Sequence, residues 1–332
     1  MAVGRSPRID RNSSDPATST ANESRPVAKP LLGLLCALSG AIAFSGKAII
    51  VKLLYRYPGT DAATLLALRM LVALPFFIGI AIMVQRRPKL APLIAADIWK
   101  IMLLGFLGYY LASYLDFLGL QYISATLERL ILYLGPSMVL LLAVAIRGYR
   151  VSRRQILALA ISYLGVALAF VHDFLFATKI PRMGSAHVAL GSALAFGSAV
   201  SYSFYLFGSG ELVRRIGTLR LTAHASGVAC LCSILQYLWL QPINQWHKIL
   251  EFPLPVYWLS LLNGTVCTVL PIFLVMLGIS RLGATSAAQI GMVGPLSTIV
   301  LSTIFLGERI GSWQIAGTVL VMTGVFVTSQ RR

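Results

Sequence analysis

Apolar residues run along this chain in ten long stretches separated by short polar ones. The stretches cover Leu31 to Leu54, Ala62 to Val84, Trp99 to Leu120, Ala125 to Ile146, Gln155 to Val171, His187 to Phe207, Leu219 to Leu240, Val256 to Ile279, Ala284 to Leu306 and Ser312 to Thr328. Crossing about 30 Å of hydrocarbon at 1.5 Å per residue takes about 20 apolar residues in a helix, and each run is close to that length. The pattern predicts an all-α polytopic membrane protein with ten transmembrane helices.

The runs also repeat. Gly148-Tyr149-Arg150-Val151-Ser152-Arg153-Arg154-Gln155-Ile156 returns 159 residues later as Gly307-Glu308-Arg309-Ile310-Gly311-Ser312-Trp313-Gln314-Ile315. At the same offset Gly119 maps onto Gly278, Ala125-Thr126 onto Ala284-Thr285, Gly135-Pro136 onto Gly294-Pro295, and Gly165-Val166 onto Gly324-Val325. Internal duplication in an apolar chain marks many membrane transporters. Five helices per copy is an odd number, so the second copy must enter the membrane from the opposite side and the repeats are inverted. The expected organisation is a polar tail over 1–29, a first five-helix repeat over 30–173, an external linker over 174–186 and a second five-helix repeat over 187–330.

Composition agrees with the bilayer as solvent. Hydrophobic residues make up 57% of the chain and charged residues 12%, against about 25% charged in soluble domains. The tail, rich in Ser, Pro, Asn and Arg, holds too little apolar area to fold and reads as disordered. It contains no signal peptide, and the first apolar run, which carries Lys47 and Lys52 and no small-residue cleavage site, should remain as a helix. Cys36, Cys230, Cys232 and Cys267 all lie inside apolar runs and read as packing residues.

The net charge of +17 is unevenly placed. With the tail inside, 19 of the 28 basic residues fall in cytoplasmic segments and six outside: Lys52, Arg56, Lys179, Arg182, Lys248 and Arg309. That asymmetry puts both termini in the cytoplasm of a multi-pass protein of the cell (inner) membrane. It also explains the basic charge without nucleic acid, which no soluble basic domain is present to bind. The duplicated loop shows the same bias: its inner copy has Arg147, Arg150, Arg153 and Arg154, while its outer copy keeps Arg309 and adds Glu308.

Two five-helix units, each with Ala-Thr-x8-Gly-Pro followed by a Gly-x-Arg-[Val/Ile] loop, resemble the EamA-type branch of the drug/metabolite transporter superfamily. The resemblance covers about residues 31 to 329. Leu306-Gly307-Glu308-Arg309 matches the family's loop signature, whereas Gly148-Tyr149-Arg150 lacks its acidic residue. The resemblance implies a ten-helix bundle whose central cavity opens alternately to each side, and family members that move amino acids, organic acids, sugars, nucleotide sugars and drugs, many of them outward.

Two features point to where a solute would bind. Gly135-Pro136 and Gly294-Pro295 fall midway along the fourth and ninth runs, where proline removes a helical hydrogen bond; paired helix breaks at the midplane are the usual mark of a transporter site, and a packing kink is the plainer alternative. The second is charge. Lys47, Arg69, Asp116, Glu128 and Arg129 lie within the runs, where insertion of a charge costs about 2.5 to 3.5 kcal/mol. Counted from the expected sides, all five fall in the outer half of the bilayer and can meet. Three cations and two carboxylates leave one positive charge, which suits a carboxylate-bearing or otherwise anionic ligand. Purely structural ion pairing is the alternative, most of all for Glu128 and Arg129 near a helix start.

The second half carries no matching charges. There Ser198, Tyr202, Tyr205 and Ser209 form one helical face instead, as Tyr109, Ser113 and Asp116 do in the third run. Tyr202, Tyr205 and, less strongly, Tyr133 and Gln289 are candidate cavity residues; an interfacial or packing stripe is the alternative. Trp239, Trp246, Tyr257 and Trp258 read as an interfacial belt. No phosphate loop, zinc signature, nucleophile motif or dinucleotide fingerprint stands in a fitting context, so neither cofactor nor metal is expected. The reading is a secondary transporter, an exporter of a small organic metabolite such as an amino acid or organic anion, with that solute, protons and the lipid bilayer as partners. An intramembrane enzyme, for which Asp116 and Glu128 are the sole carboxylate pair, and a membrane receptor or sensor are the alternatives.

Overall fold

The computed structural model describes residues 30–86, 92–148, 151–177, 185–282, 290–308 and 310–329. The expected tail, residues 178–184 of the linker, Ala284-Thr285, Gln289 and Arg309 lie outside them. Among the described residues every regular element is helical. In chain order the apolar helices are α1 Pro30–Leu54, α2 Ala62–Gln85, α3 Ala95–Leu120, α4 Ala125–Arg147, α5 Arg153–Ala177, α6 Ser185–Ile216, α7 Thr218–Leu240, α8 Leu254–Leu282, α9 Val293–Leu306 and α10 Ser312–Ser329, with a 3₁₀ helix over Ile243–Leu250 between α7 and α8. The first eight are long and apolar enough to cross a membrane, and α9 and α10 are shorter apolar helices.

The helices pair symmetrically. α1 packs on α8 and α9, and correspondingly α6 packs on α3 and α4. α2 pairs with α7, and α5 with α10. Exchanging α1–α5 for α6–α10 leaves this pattern unchanged, as a two-fold relation between the halves requires. At the α5–α10 seam the backbones nearly touch: a Cβ on Gly165 would sit 2.6 Å from the Gly317 carbonyl, and one on Gly324 2.6 Å from that of Ala158. In lipid, where apolar burial drives little association, such close approach is a main source of helix pairing.

The repeated nonapeptide works as a stop and a start. Gly148 and Gly307 take left-handed backbone, φ +63° and +69°, and end α4 and α9. The glutamine of each copy then caps the next helix: Gln155 Oε1 accepts the Ser152 N–H at 2.9 Å, and Gln314 Oε1 accepts that of Gly311 at 3.4 Å. Two wider, π-helical turns obey the same offset, starting at Phe106 in α3 and at Thr265 in α8. Such turns are frequent at functional sites.

The helix breaks fall just before the Gly-Pro pairs. α4 consists of Ala125–Leu132 and Gly135–Arg147, with Tyr133 and Leu134 between, and Pro136 sits in the first turn of the second piece, where a missing N–H costs nothing. Pro295 likewise lies in the first turn of α9. Lacking an N–H, it leaves the Gly291 carbonyl one turn earlier without its helical donor. The Tyr133 hydroxyl donates to that oxygen, tying the break of one half to the break of the other.

Candidate functional site

A cavity of about 490 Å³ lies at the centre of the bundle. Lys47, Arg69, Tyr109, Ser113, Asp116, Arg129, Tyr133, Tyr202, Gly135 and Pro136 line it, brought there from α1, α2, α3, α4 and α6. Glu128 and Tyr205 stand behind its wall. Gly294 and Pro295 are buried at the start of α9 and are not among the lining residues, which include the preceding Gly291 and Met292. Gln289 lies outside the described residues.

The charged groups sort into a closed triad and two open cations. Lys47 Nζ lies 2.6 Å from Asp116 Oδ2 and 3.6 Å from Glu128 Oε1, so one ammonium serves two carboxylates. All three side chains are more than nine-tenths buried. Helix geometry explains why Glu128 and Arg129 do not pair with each other: neighbours in sequence point about 100° apart. Glu128 turns to α1 and Lys47, while Arg129 turns to the cavity.

Neither guanidinium meets a carboxylate within 4 Å among the described residues. Arg69 Nε donates to Thr268 Oγ1 at 2.8 Å, and Thr268, fixed by its own bond to the Asn263 carbonyl at 2.7 Å, can only accept. Arg129 donates to Ser45 Oγ at 3.0 Å, and Ser45 in turn donates to the Gly294 carbonyl at 2.9 Å. Aromatic faces supply the rest of the support: Arg69 lies 5.4 Å from the Phe117 ring centroid, and Arg129 4.8 Å from Phe44 and 5.7 Å from Tyr133. Arg69 Nη1 and Arg129 Nε are buried and have no hydrogen-bond partner among the described residues.

The tyrosine face of α6 divides. Tyr202 faces the cavity, whereas Tyr205 turns back to Tyr109, with hydroxyls 3.2 Å apart and ring centroids at 5.0 Å. Ser198 and Ser201 donate to the Ala112 and Leu107 carbonyls at 2.7 and 2.8 Å, bracing the π-helical turn of α3. Sequence reasoning missed Phe44 and Thr268 as cavity residues. Both had a signal: Phe44 lies one turn before Lys47 on the same face, and Thr268 is the repeat partner of Tyr109 at the 159-residue offset.

The end of the bundle expected to face outward is sealed. Leu54, Leu65, Leu66, Phe117, Leu120 and Leu127 are fully buried there. Above them Lys52 donates to the Ile123 carbonyl at 2.6 Å and lies 3.5 Å from Glu308, whose Oε1 accepts the first amide of α4, Ala125 N–H, at 3.2 Å. Asp173 accepts the Ser124 N–H at 2.9 Å and the Gln314 amide at 2.8 Å. Two carboxylates from outside the first repeat's own helix thus hold the positive N-terminus of α4, the helix that carries Glu128 and Arg129.

Comparison with known proteins settles what kind of bundle this is. The model of the EamA-like transporter family matches the chain twice, over residues 31–171 and 189–330. The chain belongs to the EamA-like transporter family. It is similar to the uncharacterized transporter YcbK of Bacillus subtilis (strain 168), at 32% identity over 92% of this chain and 96% of that one. It is also similar to the uncharacterized transporter YyaM of the same organism, at 25% identity over 69% and 72%. A solved crystal structure 18% identical in sequence shares the fold, with a TM-score of 0.57 over 89% of this chain and 95% of that one. Each half of this EamA-like protein therefore carries one family unit, and the cavity lies where the two units meet.

Proposed function

We propose that this chain is a secondary transporter that exports a small organic metabolite across the inner membrane by alternating access, with both termini in the cytoplasm. The observation that carries the reading is the central cavity: it lies between two symmetry-related halves, beside a break in each of them, and is lined by the buried charged side chains Lys47, Arg69, Asp116 and Arg129. The family and the names of the relatives agree with transport.

The asymmetry of the packing supports the outward direction. The outer end is closed by fully buried leucines and by the contacts of Lys52, Glu308 and Asp173, while the cavity extends past the midplane to Phe77 and Leu206, towards the end expected to face the cytoplasm. This form is arranged to load from inside. Protons are the proposed coupling ion, because Asp116 and Glu128 share one ammonium and Arg69 and Arg129 stand nearby. Anything that changes the charge balance of the cavity changes what the triad holds.

The test is to compare metabolites in the medium of cells with and without the gene, then to follow each enriched solute in proteoliposomes of the purified protein. Export in cells and protein-dependent flux in liposomes are expected. If no solute moves in either system, the transport reading fails.

A further inference from the structure

The three cations of the cavity are not equivalent, and that difference names a ligand. Lys47 is matched by two carboxylates, whereas among the described residues Arg69 and Arg129 meet none within 4 Å. Both guanidiniums are more than nine-tenths buried, face the same cavity and keep a nitrogen with no partner. A buried cation without a counter-charge is costly, and the planar fork of arginine is shaped for a carboxylate. We infer that the cavity takes a small monocarboxylate with an apolar, ring-sized body and no ammonium group, its carboxylate held between Arg69 and Arg129. The inference rests on the transport reading above and specifies the cargo of that site.

Charge sets the valence of the ligand. With Asp116 and Glu128 both ionised, Lys47, Arg69 and Arg129 leave one positive charge, which a single carboxylate neutralises; a phosphate ester or a dicarboxylate would then leave a buried net negative charge. An α-amino acid or an amine would bring an ammonium into a cluster that is already positive. Both carboxylates that could receive it lie within 4 Å of Lys47 Nζ.

The walls set the rest. Phe44, Met70, Phe77 and Tyr202 present apolar and aromatic surface, and the hydroxyl of Ser198 is already spent on the Ala112 carbonyl. Few polar groups remain for a sugar or a nucleoside, whose many hydroxyls would each need a partner. About 490 Å³ lies in the lower half of the range of small-molecule pockets, about 300 to 1,000 Å³, and admits a ring with a short acid arm.

The experiment measures binding to the full-length purified protein, by ligand-induced thermal stabilisation, with benzoate, 3-phenylpropionate, benzamide, phenylalanine, phenethylamine, phthalate and phenyl phosphate as probes. Benzoate and 3-phenylpropionate should stabilise the protein, and the other five should not. Arg69→Lys and Arg129→Lys keep the charge and lose the fork; each should weaken benzoate binding at least about tenfold, with unliganded melting that reports whether each variant folds. The inference is overturned if benzamide, the amine, the amino acid, phthalate or phenyl phosphate binds as well as the two monocarboxylates, or if folded lysine variants bind benzoate unchanged. It is also overturned, with the transport reading intact, if the solute exported by cells is an amine, a zwitterion or a neutral molecule. Failure of the transport reading is a separate result, the absence of any protein-dependent flux.

Discussion

At the scale of single residues, the cavity depends on how five charges are shared. Lys47→Met leaves Asp116 and Glu128 facing each other in a buried site, and breaking a buried pair costs on the order of 3–5 kcal/mol. A markedly lower melting temperature in detergent is expected, with partial recovery in the double variant Lys47→Met/Asp116→Asn; a single variant as stable as the original would show that the triad holds nothing together. Asp116→Asn alone tests coupling. In liposomes, flux of the exported solute by the original chain should follow an imposed pH gradient, and flux by Asp116→Asn should not. Indifference of the original chain to the gradient would make the protein a facilitator. The charged positions were legible because charge inside a long apolar run is conspicuous. Their partners were not, since Thr268 and Ser45 are ordinary hydroxyl residues whose role depends on which helix packs opposite.

At the scale of helices, the duplicated nonapeptide explains itself as an αL stop followed by a glutamine cap, and the Gly-Pro pairs as first-turn residues of a resumed helix. Those features were readable because they are local: glycine, proline and capping residues act within a turn or two of their own position. The π-helical turns at Phe106 and Thr265 had no such signal, although the repeat relates them. Helix pairing depends on close backbone contact, and it should fail where that contact is blocked. A side chain at Gly165 would meet the Gly317 carbonyl and Leu320. Gly165→Leu is therefore expected to cost more than the 1–3 kcal/mol typical of overpacking and to lower the yield of monodisperse protein. Leu164→Ala, on an exposed face of the same helix, should leave the yield unchanged.

At the scale of the whole molecule, ten apolar runs and one offset of 159 residues were enough to anticipate the helical bundle and its two-fold pairing. The sealing of one end was not, because it is made by residues distant in sequence: Lys52 with Glu308, and Asp173 with both Ser124 and Gln314. In the proposed orientation that sealed end faces outside, and reporter fusions test it. A fusion after Gln330 should behave as cytoplasmic and one at Pro181 as external; a cytoplasmic Pro181 would overturn the orientation. The central claim is that one cavity is reached in turn from both sides. Its most direct measurement is labelling of Ser113→Cys, in a background free of the four native cysteines, with a membrane-impermeant maleimide in right-side-out and in inverted vesicles. Alternating access requires labelling in both preparations, with protection when the exported solute is present. Labelling from one side only, or from neither, would contradict it and leave a closed or one-sided pocket.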